Sequence, residues 1–292
     1  FVTMFEKLQQ AARLNDNGSF PYLRSHPMTT ERISDAQARQ QLLPARSAMA
    51  TSPMHAMMSA RAQVLAKPGV DTLRAIASRA NDTSLGADKK AKQAGVLYGA
   101  VMAEMQLRNF VAARQHLVRL QSVSGLDINA IAGVRLLAAE LALVSGDAPQ
   151  AVALLEPKAT QLASTDRASR MLLARSRVAT QKAAQGKTAA NELSLWLSLH
   201  PRDASAWLLQ ASAYELQGDA LRAIRAQAEA RAMELDYGAA VDRFKAAQTL
   251  AHQMANEGKL DAGGHIEASI IDARLRELDR LRREQALERR IN

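Results

Sequence analysis

Four alanines, Ala113, Ala151, Ala189 and Ala223, recur along this chain at steps of 38, 38 and 34 residues. A repeat of that length marks one supersecondary unit stacked on copies of itself, because a single unit cannot bury its apolar face alone. The last copies are the clearest. Trp207, Ala211 and Tyr214 follow one another at helical offsets of four and three, the turn Gln217-Gly218-Asp219 comes next, and Ala223 and Ala230 share the following helix. The unit before it supplies Ala189, Leu193 and Pro201, with Pro201 six residues ahead of Trp207. Two earlier units fit more loosely. In one, Arg135, Ala139 and Ala142 precede Ser145-Gly146-Asp147, with Ala151 and Leu155 beyond; in the other, Leu97 and Val101 precede Arg108-Asn109-Phe110, with Ala113 and Leu117 beyond.

Composition says what each unit is made of. Alanine accounts for 58 of 292 residues and aromatics for only 11, which favours closely packed helices over sheets. The expected fold is therefore all-α: a helical-hairpin solenoid with a short non-repeat N-terminal segment. Across residues 88–237 the pattern resembles tetratricopeptide repeats, with Gln210 and Gln227 at usually apolar places. The alanines, Trp207 and Tyr214 are then scaffold, small residues letting helices approach and Trp207 filling the gap between neighbours. Such a scaffold implies a groove that takes protein segments; no groove residue can be named from the pattern.

The rest divides around the array. Residues 238–292 read as capping helices, one ending near Asn256 and an Arg-rich one starting near Ile266. Residues 46–87 read as connecting helices: a Met- and Ala-rich one from Pro53 to Leu65, a break at Lys67-Pro68-Gly69, and a short one carrying Leu73, Ile76 and Ala77. In residues 1–45, a helix end is followed by the turn 15–19, a proline-restricted loop over 20–27, and a helix capped by Thr29 or Thr30 with Pro44 near its end.

Several function classes lose their support. With no cysteine there is no disulfide framework and no thiolate zinc site. The net charge of +9 would suit nucleic acid, yet 28 of the 38 basic residues are Arg scattered among acids, and the aromatics form no stacking series. The densest group, from Arg274 to Arg290, reads as a solvated helix face; nucleic acid is not an expected partner. No stretch is apolar enough to span a membrane. No histidine is followed by glutamate, so the two-His, one-Glu zinc helix is missing, as are Gly-x-Ser-x-Gly and phosphate-cradling loops. His55, His116, His200 and His252 read as ordinary helix or turn histidines. The chain starts without an initiator methionine, as a fragment or processed chain would.

His26 stands apart, in Leu23-Arg24-Ser25-His26-Pro27-Met28-Thr29-Thr30-Glu31-Arg32. The His-Pro, four residues, Arg pattern resembles the end of the peptidase domain in the zinc metalloendopeptidases that include the CAAX prenyl proteases and the β-barrel assembly-enhancing (BepA-like) proteases. The BepA-like branch pairs such a domain with a tetratricopeptide array, so the resemblance covers the whole chain. It implies that residues 1–45 are the tail of a peptidase domain, with the zinc ligands upstream of Phe1. The parent would be a periplasmic zinc protease acting on outer-membrane β-barrel proteins and their assembly machinery, and this chain alone would hold no zinc and cleave nothing. His26 would border the zinc as an accessory ligand or substrate contact, and Arg32 would pair with a carboxylate or the developing oxyanion. Otherwise His26 merely caps a helix and Arg32 forms a salt bridge. The rival expectation is a stand-alone tetratricopeptide adaptor in which His26-Pro27 is only a turn.

Overall fold

The computed structural model describes residues 29–41, 51–81, 90–156 and 166–291. The chain divides into two compact units, Phe1–Thr51 and Ser52–Asn292. From the first, the described part is helix α1 (Thr29–Gln41), with Arg39 paired to Asp35 one turn away at 3.0 Å. The expected loop over 20–27, with His26, and Pro44 lie outside the described residues.

The second unit runs through α2 (Pro53–Leu65), α3 (Val70–Ser78) with a 3-10 turn at Arg79–Asn81, and then ten helices: α4 (Lys90–Gln106), α5 (Phe110–Gln121), α6 (Ile128–Val144), α7 (Ala148–Leu155), α8 (Arg167–Ala179), α9 (Ala183–Leu199), α10 (Ala204–Glu215), α11 (Ala220–Met233), α12 (Tyr237–Asn256) and α13 (Ala262–Ile291). Among the described residues there is no strand, and no helix is long and apolar enough to cross a membrane. The ten helices form five successive hairpins. Each helix packs on the next, and the first helices of the first four hairpins also touch along the array: α4 with α6, α6 with α8, α8 with α10. The fold is an all-α helical-hairpin array. The two helices expected as a cap are a fifth hairpin laid on the fourth through α11 and α12.

Local chemistry fixes where each helix begins. Asn109, Asp127, Asp147, Asp166, Asp203, Asp219 and Asp236 each accept a backbone N–H from three residues ahead, at 2.8 to 3.4 Å. This satisfies an amide the helix cannot, and the six aspartates also place negative charge at the positive end of the dipole. Three of these caps follow directly on a left-handed residue that ends a first helix: Arg108 (φ 58°), Gly146 (φ 89°) and Gly218 (φ 75°). The cap's own N–H then closes back five residues, from Asp147 to the Ala142 carbonyl at 2.8 Å and from Asp219 to the Tyr214 carbonyl at 3.0 Å. One dipeptide thus stops one helix and starts the next. A Cβ at Gly146 or Gly218 would meet nothing within 4 Å, so substitution there is purely a conformational matter. Gly146→Ala and Gly218→Ala are each expected to lower unfolding free energy by about 1 kcal/mol in urea titrations.

The small-residue markers are where stacking needs them. Ala113, Ala139, Ala151, Ala189, Ala211, Ala223 and Ala230 are all buried, and the four spacing markers fall one each on the second helices α5, α7, α9 and α11. Three apolar cores run under the array: one from α2 to α6 around Tyr98, Leu120 and Leu137, one from α8 to α10 around Leu193 and Leu197, and one from α11 to α13 around Phe244, Ile271 and Leu278.

Candidate functional site

The scaffold residues singled out from sequence are partly interior and partly at hairpin edges. Pro201 is exposed, and its carbonyl accepts the Trp207 indole N–H at 2.9 Å. Trp207 and Tyr214 are only half-buried, and the Arg225 guanidinium lies 5.6 Å from the Trp207 ring centroid, so Trp207 packs under a cation rather than filling a sealed gap. Gln210, expected to be out of place, is 2 % exposed, and its amide N–H₂ reaches the Ser194 hydroxyl at 2.7 Å. Arg32 lies in α1. Among the described residues no three His, Asp or Glu side chains are placed to hold a metal ion, so the described residues do not supply the zinc site that the family resemblance implies.

Three of the four joints between hairpins carry an arginine–carboxylate pair among the described residues. Arg177 on α8 reaches back to Glu156 after α7 at 3.4 Å. Arg167 meets Asp203 between the third and fourth hairpins; Arg225 pairs with Glu267, and Arg274 with Glu229 at 2.6 Å, between the fourth and fifth. Arg274, expected on a solvated face, is a correction: it turns inward to a buried Glu229, because an acid there needs a partner. Arg276, Arg280 and Arg283 do face solvent.

Along the face formed by first helices, the two halves of the array differ. On α4 and α6 it is already covered by α2, whose Ala56 and Ala60 sit against Gly95 and Gly99 of α4 and whose Met54 and Met57 pack at Gly133 of α6. Arg61 of α2 fixes the arrangement, with two 2.7 Å bonds to the Glu140 carboxylate and one of 3.1 Å to the Tyr98 hydroxyl. Glu140 holds Arg61 firmly protonated, while burial pushes the Tyr98 phenol up against the pull of Arg61.

Farther along, between α10 and α12, the corresponding face is open. A cleft of about 240 Å³ is lined by Leu208, Ala211 and Ser212 of α10, Gln227 and Arg231 of α11 and Arg243 of α12. Gln227 organises it, donating to Glu215 and accepting from Arg243, both at 2.6 Å. Here the polar residue at a usually apolar place is a floor contact joining three helices. A larger groove of about 660 Å³ lies at the joint of the third and fourth hairpins, around Trp196, Leu199, His200, Arg202 and Arg167. The Trp196 and His200 ring centroids lie 3.8 Å apart with the planes tilted by 32°, and Asp203 binds Arg167 through two 2.7 Å bonds and the Trp196 indole at 3.0 Å.

Sequence reasoning gave no binding role to any cleft or groove residue: Ala211 and Pro201 were read as scaffold, Gln227 as a polar departure and His200 as an ordinary turn histidine. Asp203 had a signal, an Asp directly ahead of a helical run; Trp196 and His200 had only their one-turn spacing. No protein-family model matches the chain, and no curated protein does.

Proposed function

We propose that this chain is a tetratricopeptide-type protein-binding array, the C-terminal part of a BepA-like zinc metalloendopeptidase that engages outer-membrane β-barrel proteins during assembly in the periplasm. The observation that carries the binding role is the open cleft between successive first helices, where Leu208, Gln227 and Arg243 present apolar and hydrogen-bonding groups side by side. That mixture suits an extended polypeptide, which offers both backbone polar groups and side chains. The placement in a protease rests on the His26-Pro27 and Arg32 motif ahead of the array, with the zinc ligands and the peptidase chemistry assigned to residues upstream of Phe1.

Binding of unfolded outer-membrane β-barrel protein to the purified chain tests the binding role. The expected result is saturable binding that changes by only a few-fold between 50 and 200 mM salt, weakened about tenfold by Leu208→Asp with Gln227→Ala. Nucleic acid bound more tightly than unfolded protein, with an affinity falling by orders of magnitude over the same salt range, would overturn it. The protease placement fails if the complete reading frame encodes no His-Glu-x-x-His helix.

A further inference from the structure

We infer that the groove at the joint of the third and fourth hairpins is a second binding site, for a polypeptide carboxylate that lies next to a bulky aliphatic side chain. The inference rests on the protein-binding reading and adds to it the chemistry of one class of ligand.

The electrostatic balance of the groove comes first. The acid that lines it, Asp203, is 9 % exposed, and both its oxygens are committed. One accepts the Arg167 Nε–H and the Trp196 indole N–H; the other accepts an Arg167 Nη2–H and the Ala206 amide. Arg167 holds that carboxyl well below the usual range, at about 2, so it stays ionised and offers nothing more to a ligand. The cations differ. Arg167 is 54 % exposed and keeps Nη1 uncommitted by Asp203, and Arg202 stands exposed at the rim with no acid partner among the described residues. Donors therefore exceed acceptors along the wall, which favours an anionic group able to accept from a guanidinium edge.

The apolar side narrows the anion to one attached to a hydrophobic group. Leu199 is 73 % exposed and Leu195, one turn earlier on α9, is 64 % exposed. The four-residue spacing puts Leu195 and Leu199 on one face of α9, and Leu199 lines the groove with the half-buried Trp196 beside Arg167 and Arg202. A bare phosphate would leave this apolar surface wet, whereas an aliphatic side chain next to a carboxylate would cover it. The carboxylate has two sources, a free chain terminus or an acidic side chain. Both place an anion within a few ångströms of an aliphatic group.

The test uses the whole 292-residue chain carrying Trp207→Phe, which leaves Trp196 as its one fluorescent indole. The probes are three short blocked peptides: one ending in leucine with a free carboxylate, the same peptide as its C-terminal amide, and an amidated peptide with an internal Glu-Leu pair. Calorimetric titration of the unsubstituted chain gives the same affinities without relying on that variant. Either carboxylate peptide is expected to shift Trp196 emission and saturate, with the amide at least tenfold weaker; the stronger of the two identifies the source. Arg202→Glu and Leu199→Ser should each weaken binding about tenfold without moving Tm. Equal binding of acid and amide, indifference to Arg202→Glu, or tighter binding of inorganic phosphate or of a single-stranded oligonucleotide would overturn the inference. Unfolded-protein binding that survives with none of the peptides bound sinks this site alone; loss of both sinks the binding reading as well.

Discussion

Asp203→Ala is expected to destabilise the array by about 3 kcal/mol and to split its unfolding into two transitions. Three separate jobs end with that one carboxylate. It caps α10 through the Ala206 amide, a role worth about 1 kcal/mol. It accepts the Trp196 indole N–H, and a half-buried donor left without a partner costs about 1 kcal/mol more. It also holds Arg167 across the joint, an interaction held to roughly 1 kcal/mol because Arg167 is half in water. It is the polar tie across the joint of the third and fourth hairpins that also caps a helix, beside the shared α8-to-α10 core and the Gln210–Ser194 bond. In a quasi-one-dimensional array, stability is a sum of units and neighbour interfaces, so weakening one interface uncouples the hairpins on either side. Asp203→Asn separates the parts: its single oxygen keeps either the Ala206 cap or the Trp196 indole but not both, so it is expected to lose about 2 kcal/mol, less than the alanine. A single sharp transition for Asp203→Ala, unshifted in urea, would show that the joint does not govern cooperativity.

The same residue sets a pH dependence. Its folded value of about 2 lies below the ordinary 3.8, so its contribution is present in full above pH 4 and is lost as the pH falls toward 2. The acid limb of stability in that window should flatten in Asp203→Asn, where nothing is left to protonate.

The helical character and most helix positions were legible because alanine spacing, prolines and Gly-Asp turns are local signals. Where the joint between two helices is Gly146-Asp147 or Gly218-Asp219, both partners of the hairpin can be placed from sequence. Where the left-handed residue is Gln181 (φ 58°) and the next position is Lys182, which makes no side-chain cap, neither signal exists. The third hairpin was accordingly recognised by its second helix, through Ala189 and Leu193, while α8 went unplaced. The sites were less legible for a different reason. Trp196, His200 and Asp203 are close in sequence, but Arg167 is 36 residues from Asp203, and Arg61 is 79 from Glu140. Pairs at such separations exist only once the stacking is known. The helical period of α4 singles out no face, because its buried residues go nearly all the way round. Such a helix is covered on every side, but the pattern does not say by what.

The cover is α2, and Gly95→Leu is expected to dislodge it at a cost of 3 kcal/mol or more, on the order of the burial it gives up. A Cβ at Gly95 would fall 2.9 Å from both the Ala56 Cβ and the Ala56 carbonyl oxygen, and one at Gly99 would fall 3.2 Å from the Ala60 Cβ. The obstruction at Gly95 is backbone, which cannot swing aside as a flexible side chain would, so the helix itself has to move. With it goes the burial of Met57 and Val64, each worth about 2 kcal/mol, and the two-pronged bond from Arg61 to Glu140. Leucine's better helix propensity returns only about 1 kcal/mol. Gly238→Ala on α12 is the counter-example: its Cβ would meet nothing closer than 3.8 Å, and it should stabilise by a few tenths to about 1 kcal/mol. Hydrogen exchange should show the Gly95→Leu damage as lost protection over residues 53–65 with the fourth and fifth hairpins still protected, since their cores are separate. If those residues stay protected, α2 is not seated on the glycines. If they exchange, the first-helix face of α4 and α6 is bare, and any gain in unfolded-protein binding by the variant measures how far α2 confines capture to the cleft between α10 and α12.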